Sequence, residues 1–181
     1  MLWENGELSV RELVEKDAVQ LAKWLSNPEL LRYYEGRDNP FDLDKVMATF
    51  FHRKTGTNRC LVEWNKKPIG YIQYYVVDAE YRSKYGYDNF IGNLYGMDQF
   101  IGETDYWNRG IGTALVQSMS SYLIETEKAD AIVMDPQAWN ERAIRSYEKC
   151  GFAKIRLLPN HEYHEGEYRD CWLIEYKADR S

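Results

Sequence analysis

The stretch LYGMDQFIGETDYWNRGIGTALV, Leu94 to Val116, constrains the fold more than any other part of the chain. It begins as an apolar strand, yet Asp98 sits inside it, where a side chain that competes for backbone hydrogen bonds is rare. It ends by opening a helix at Arg109-Gly110-Ile111-Gly112-Thr113, with Ile111, Leu115, Met119 and Tyr122 repeating on one face to about Glu127. A strand feeding a helix through a glycine turn is the building unit of α/β proteins. The first amides of a helix point outward unpaired at the positive end of its dipole, and glycines let a ligand approach them. The turn therefore reads as a receptor for a phosphate or pyrophosphate, with Arg109 adding a cation; a plain tight turn satisfies the same pattern. No third glycine completes a dinucleotide fingerprint, and no Gly-Lys-Ser/Thr makes a P-loop.

The rest of the chain supports a mixed architecture. LSVRELV (Leu8–Val14) alternates as a strand, and KDAVQLAKWLSNPELL places Ala18, Leu21, Ala22 and Leu25 on one helical face behind Asp17 as N-cap. A turn-rich YYEGRDNP precedes a second helical pattern at Leu43, Val46, Met47 and Phe50. NRCLVEWN and KPIGYIQYYVVD read as an antiparallel hairpin about a Lys-Lys turn. Ala79–Asn89 shows no period and reads as a loop of the kind that serves as a lid. DAIVMDP is a short buried strand ended by proline. NERAIRSYEKCGF carries helix punctuation, with Asn140 as N-cap and Gly151 as stop. AKIRLLP and RDCWLIEYKA close the chain as strands around a loop, NHEYHEGEY. The order β-α-α-β-β-β-α-β-α-β-β implies a single α/β domain over residues 1–181.

Bulk properties narrow the classes. At 181 residues the chain is long enough to bury one core. The net charge of −6 disfavours nucleic acid and anionic membranes and suits a cationic ligand. No apolar run is long enough to span a membrane, and MLWENGELSV has no signal-peptide pattern, so a cytoplasmic protein is expected. Cys60, Cys150 and Cys171 are odd in number and widely spaced, which reads as buried free thiols rather than disulfides or a zinc ribbon. The 15 tyrosines and 6 tryptophans supply flat surfaces with polar tips, useful in a pocket for a hydroxylated ligand.

Asn140, Ala143 and Tyr147 follow N-x-x-A-x-x-x-Y, which brings Asn140 and Tyr147 to nearly the same helical face. Together with the RGIGTAL turn and the strand ending in proline, they resemble the GCN5-related N-acetyltransferases, with the specific motifs in Gly96–Phe152. The resemblance implies a mixed, mostly antiparallel sheet, splayed around an acetyl-CoA cleft and flanked by helices. It implies that the backbone of Arg109, Gly110, Ile111, Gly112 and Thr113 holds the cofactor's pyrophosphate. It further implies that Phe100 and Ile101 pair with the pantetheine arm, that Asn140 and Ala143 bind alongside, and that Tyr147 acts as general acid. Trp107 departs from the pattern, because the family often has Gln or Arg there.

YGMDQFIGETDYWNRGIGT, VMDPQAWNERAIRSYEKCGF, PIGYIQYY and LPNHEYHEGEYRDCWLIEY are similar to the aminoglycoside 6′-N-acetyltransferases. The likeness is strongest to the acetyltransferase domain of bifunctional acetyltransferase–phosphotransferases. It implies acetyl-CoA-dependent acetylation of the 6′-amino group of aminoglycosides, conferring resistance. By the same resemblance Asp98 is the base at the reactive amine, while Asp135 and Asp170 bind other ammonium groups. Tyr34, Gln73 and Tyr75 would line the pocket. By residue chemistry, a positioned carboxylate can take the proton that a protonated amine must lose, and period two puts Asp98 beside small Gly96, leaving room for substrate. The other readings are a bulge or structural ion pair for Asp98, and a strand-end cap or surface charge for Asp135 and Asp170.

Two other functions use the same features. One is acetylation of a polyamine, a protein N-terminus or a small metabolite; the other is a non-catalytic acetyl-CoA or drug-binding module. HEYHE offers His161 and His164 near Glu162 and Glu165, but as a loop they share no fixed face, so no metal is expected. A cationic small molecule is the expected partner, with a monomer or homodimer as the assembly.

Overall fold

The structure, a computed structural model, describes residues 1–179. Along the chain run β1 (Trp3–Asn5), β2 (Leu8–Glu12), α1 (Ala18–Trp24), α2 (Pro28–Leu31), α3 (Leu43–Val46), β3 (Thr57–Trp64) and β4 (Lys67–Val76). Then follow α4 (Ala79–Tyr85), β5 (Leu94–Ile101), α5 (Ile111–Glu125), β6 (Ala131–Met134), α6 (Glu141–Lys149), β7 (Ala153–His164) and β8 (Glu167–Lys177). Hydrogen-bonded neighbours give the sheet order β1-β2-β3-β4-β5-β6-β8-β7. β1 with β2, β2 with β3 and β6 with β8 are antiparallel, whereas β5 and β6 are parallel, with Gly96 opposite Val133. The fold is an open, mixed α/β sheet with flanking helices, as the element pattern implies.

A parallel pair needs a crossover, and α5 supplies it, burying Leu115, Val116, Met119 and Leu123. β6 is buried at all four residues, which is why AIVM is a continuous apolar run rather than an alternating one.

The residues group into two compact units, with β4, β5 and the β7–β8 hairpin contributing chain to each. The first holds Met1–Gln73, Gln99–Gly112 and Tyr163–Glu167, around a core of Trp24, Leu25, Phe50, Leu61, Tyr71 and Phe100. Two charged anchors lie in it. Arg11 bonds Asp17 at 2.8 and 2.9 Å and Glu63 at 2.9 Å. Glu103 Oε1 accepts from Gln20, Lys23 and Trp24, tying the chain after β5 to α1. Gly102 sits here because a Cβ would lie 2.3 Å from the Trp24 ring. The second unit holds Tyr74–Asp98, Thr113–Glu162 and 168–179, with Val77, Leu94, Val133, Leu158 and Leu173 in its core.

Several local expectations are corrected. Ala79–Asn89 is not a loop: Asp78 caps α4 by accepting from the Tyr81 amide at 2.9 Å, and Gly86 ends it at φ 79°. Arg82 then donates to the carbonyls of Val77, Phe90 and Gly92, pinning both ends of the segment. NHEYHEGEY is no loop either, since β7 runs to His164 and turns at Glu165-Gly166 into β8. Pro159 falls in β7, the last strand in the order, and edge strands are where proline is accommodated. Asp17 does not cap α1; its carboxylate is buried against Arg11 and the Val14 amide. The expected long first helix is divided into α1 and α2, with Pro28 opening the latter behind Asn27. The β3–β4 turn is Asn65-Lys66, both at positive φ, rather than Lys-Lys. β1 lies before any strand the alternation marked.

Candidate active site

In the second unit β5 carries Asp98 half-buried, two residues beyond Gly96. The expectation that Gly96 makes room for substrate is corrected: a Cβ there would lie 2.5 Å from Tyr75 Cε2 and 2.9 Å from its hydroxyl. Gly96 makes room for Tyr75, which reaches across from β4 and bonds Asp98. Burial pushes the Tyr75 phenol far above its usual range, and the charges of Asp98 and Asp135 push it the same way. Tyr75 is therefore a proton-holding donor, and Asp98 its acceptor.

A second carboxylate is held the same way. Asp135 lies just past β6, before Pro136. Its Oδ2 accepts from Tyr85 Oη, on α4, at 2.8 Å, and lies 2.7 Å from His161 Nε2, on β7. Burial again drives the Tyr85 phenol up, reinforced by Asp135. Tyr85 and His161 belong to this site, and the sequence reading singled out neither for it. Tyr85 was hidden by the mistaken loop at Ala79–Asn89. His161 was hidden because period two becomes visible only when HEYHE is known to be strand. On that strand His161 and His164 fall on opposite faces, and among the described residues no group of three metal-ligating side chains converges.

α6 brings the remaining pieces of this unit. Asn140 Oδ1 accepts from the Ala143 amide at 3.4 Å, the capping role its position implies. Tyr147 is half-buried, its ring edge-on to Phe152 at 6.5 Å. Thr113 Oγ1 meets Ser146 Oγ at 2.7 Å, binding α5 to α6, so what Thr113 can offer a ligand is its backbone. Asp170 is exposed and accepts from the Asn160 amide at 2.8 Å, where β7 kinks through φ 49°.

The first unit carries the other candidates. Phe100 is buried between Tyr71, stacked at 5.5 Å, and Tyr34, tilted at 4.7 Å. Gln73 accepts from the Tyr71 hydroxyl at 2.8 Å. Trp107 donates its indole N–H to the Ile101 carbonyl at 2.7 Å and packs edge-on against Tyr33, so it secures the end of β5. Ile111 is buried, while Arg109 is exposed with its guanidinium over the Tyr106 ring at 5.1 Å. Gly110 has φ 76°, a conformation that favours glycine. Gly112 has no such need, and a Cβ at either position would meet nothing within 4 Å. Neither strain nor packing accounts for Gly112, whose missing Cβ would stand in open space in the first turn of α5, where helix amides lack intrahelical partners.

The model of the acetyltransferase (GNAT) domain matches residues 13–158. The aminoglycoside N(6′)-acetyltransferase type 1 of Klebsiella pneumoniae is 27% identical over 162 residues, 83% of this chain and 76% of that protein. An N-alpha-acetyltransferase of Sulfurisphaera tokodaii is 36% identical over 69 residues, 38% of this chain and 40% of that one. Among solved structures, the aminoglycoside acetyltransferase AAC(6′)-Ib with coenzyme A and kanamycin has a TM-score of 0.74 at 22% identity, covering 94% of each chain. The spermidine N-acetyltransferase of Vibrio cholerae with CoA and spermine has a TM-score of 0.76 at 18% identity, covering 96% of each.

Proposed function

Because the chain belongs to the GNAT acetyltransferases, we propose that it acetylates the 6′-amino group of aminoglycosides, with acetyl-CoA as donor. The observation that carries this reading is the pair of carboxylates in the second unit, Asp98 and Asp135, each held by a tyrosine whose phenol stays protonated. Carboxylates fixed by neutral donors keep their negative charge and present it to ammonium groups through charge-assisted hydrogen bonds. A polycation rich in hydroxyls fits acids set among tyrosines. The name of the Klebsiella pneumoniae relative supports the 6′ position.

Acetyl-CoA supplies an acetyl thioester as the electrophile. The amides of Arg109–Thr113, with the open approach at Gly110 and Gly112, suit its pyrophosphate, and the Arg109 guanidinium adds charge. The backbone of Phe100 and Ile101 and the α6 end at Asn140 and Ala143 orient the pantetheine arm. Asp98 accepts the proton of the attacking amine, and the Tyr147 hydroxyl gives one to the departing thiolate. Asp135 and Asp170 bind other ammonium groups, and Tyr34, Gln73 and Tyr75 are further candidate contacts for the drug.

The test is release of free thiol from acetyl-CoA with kanamycin, ribostamycin and spermidine in parallel. Thiol release with the 6′-amino drugs, exceeding that with spermidine, supports the reading. Turnover of spermidine alone transfers the enzyme to polyamines, and no turnover with any amine leaves a binding module.

A further inference from the structure

The two donors to Asp135 fall on the same oxygen. Tyr85 Oη lies 2.8 Å and His161 Nε2 2.7 Å from Oδ2, and neither bond touches Oδ1. They arrive from different elements, α4 and β7, with ring centroids 5.9 Å apart, so two elements fix the one oxygen. We propose that Tyr85 and His161 are positioning residues that turn Oδ1 of Asp135 toward a substrate ammonium, and that protonation of His161 weakens this ammonium subsite. The proposal rests on the reading of Asp135 as a substrate acid.

The chemistry has two states. With a neutral imidazole, His161 carries its hydrogen on Nε2 and donates to Oδ2 without cancelling the carboxylate charge. With an imidazolium the same contact becomes an ion pair, and the charge that attracts a cationic ligand is neutralised on site. Around this set stand Tyr75 from β4, Asp98 from β5, Tyr81 and Tyr85 from α4, Glu162 from β7, and Asp170 and Cys171 from β8. Of these side-chain types and His161 itself, only imidazole ordinarily changes charge close to neutral pH. The His161 side chain is 15% exposed, while Asp135 shows 26% and can meet a ligand.

The experiment is calorimetric binding of kanamycin, and of spermine as a second polycation, to the CoA-loaded protein at about pH 8 and about pH 6, which bracket imidazole titration. His161→Gln keeps a donor for Oδ2 and removes the imidazole. On lowering the pH, the wild type should lose about ten-fold more affinity than His161→Gln, the change expected for cancelling one hydrogen-bonded charge. Tyr85→Phe should weaken binding about ten-fold at both pH values. In an Asp135→Asn background, His161→Gln should change nothing, a result that a merely structural role of His161 does not produce. Equal pH dependence in wild type and His161→Gln, or unaltered binding by Tyr85→Phe, overturns the proposal. So does failure of both polycations to bind. Kanamycin bound with the expected pH dependence but not acetylated refutes the proposed function and leaves the subsite standing. Kanamycin acetylated with indifferent His161→Gln does the reverse.

Discussion

Asp98 depends on a tyrosine 23 positions earlier in the chain, and that tyrosine depends on a glycine. Gly96→Ala places a methyl 2.5 Å from the Tyr75 ring, a clash that only displacement of the ring can relieve. The expected cost is about 1–3 kcal/mol of stability, the usual range for overpacking. Turnover should fall further than stability, by about ten- to a hundred-fold, because a displaced Tyr75 no longer fixes Asp98. Tyr75→Phe, which keeps the ring and removes the donor, should lower kcat with stability little changed. Urea denaturation beside steady-state kinetics separates the two effects. Gly96 was legible as a small residue beside an acid, but period two cannot tell an empty neighbour from one filled across the sheet. His161 was unreadable for a related reason: a residue's face is defined only once its element is known.

At the scale of the element, the glycine turn separates conformation from function. Gly110 is at φ 76°, so Gly110→Ala should cost about 1–2 kcal/mol through the left-handed backbone. Gly112 lies in α5 with open space before it, so Gly112→Ala should leave stability unchanged or raise it by about 0.5–1 kcal/mol. The same methyl should raise the KM for acetyl-CoA about ten-fold by standing between the cofactor and the helix amides. A Gly112→Ala protein that is less stable but binds CoA normally would mean the glycine serves packing. β5, α5, β6 and α6 were readable because period and punctuation agree within each. α4 was not, because a seven-residue helix burying only Tyr85 shows no period; its Asp78 and Gly86 were the available signals. β7 was misread because Pro159 and Asn160 mimic a turn, and only an edge position makes proline acceptable in a strand.

Across the whole molecule, buried charge also serves the fold, as the Arg11 cluster shows. Arg11 holds two buried carboxylates, Asp17 and Glu63, and its loss strands both. Arg11→Met should cost about 3 kcal/mol at neutral pH. Burial pushes the Asp17 carboxyl up, but the bonds from Arg11 and the Val14 amide outweigh it and hold it below its usual range. Its contribution is therefore complete above about pH 4 and is lost as pH falls through the lowered folded value. The gap between wild type and Arg11→Met should narrow in acid, as denaturation at about pH 7 and about pH 3 will record. The three free thiols are all buried, with that of Cys60 pushed up to about 12 by burial, as their spacing in the sequence anticipates. They should contribute little background to an assay that counts the thiol of released CoA. In the proposed reaction Asp98 takes the proton from an aminoglycoside amine. Its most direct test is CoA release with kanamycin by wild type and Asp98→Asn, with the acetylated nitrogen located by NMR of the product. Acetylation at the 6′ nitrogen is expected, with a fall in kcat of at least about 100-fold for Asn at near-constant KM for acetyl-CoA. Equal turnover by Asp98→Asn, or no acetylated kanamycin from the wild type, contradicts it.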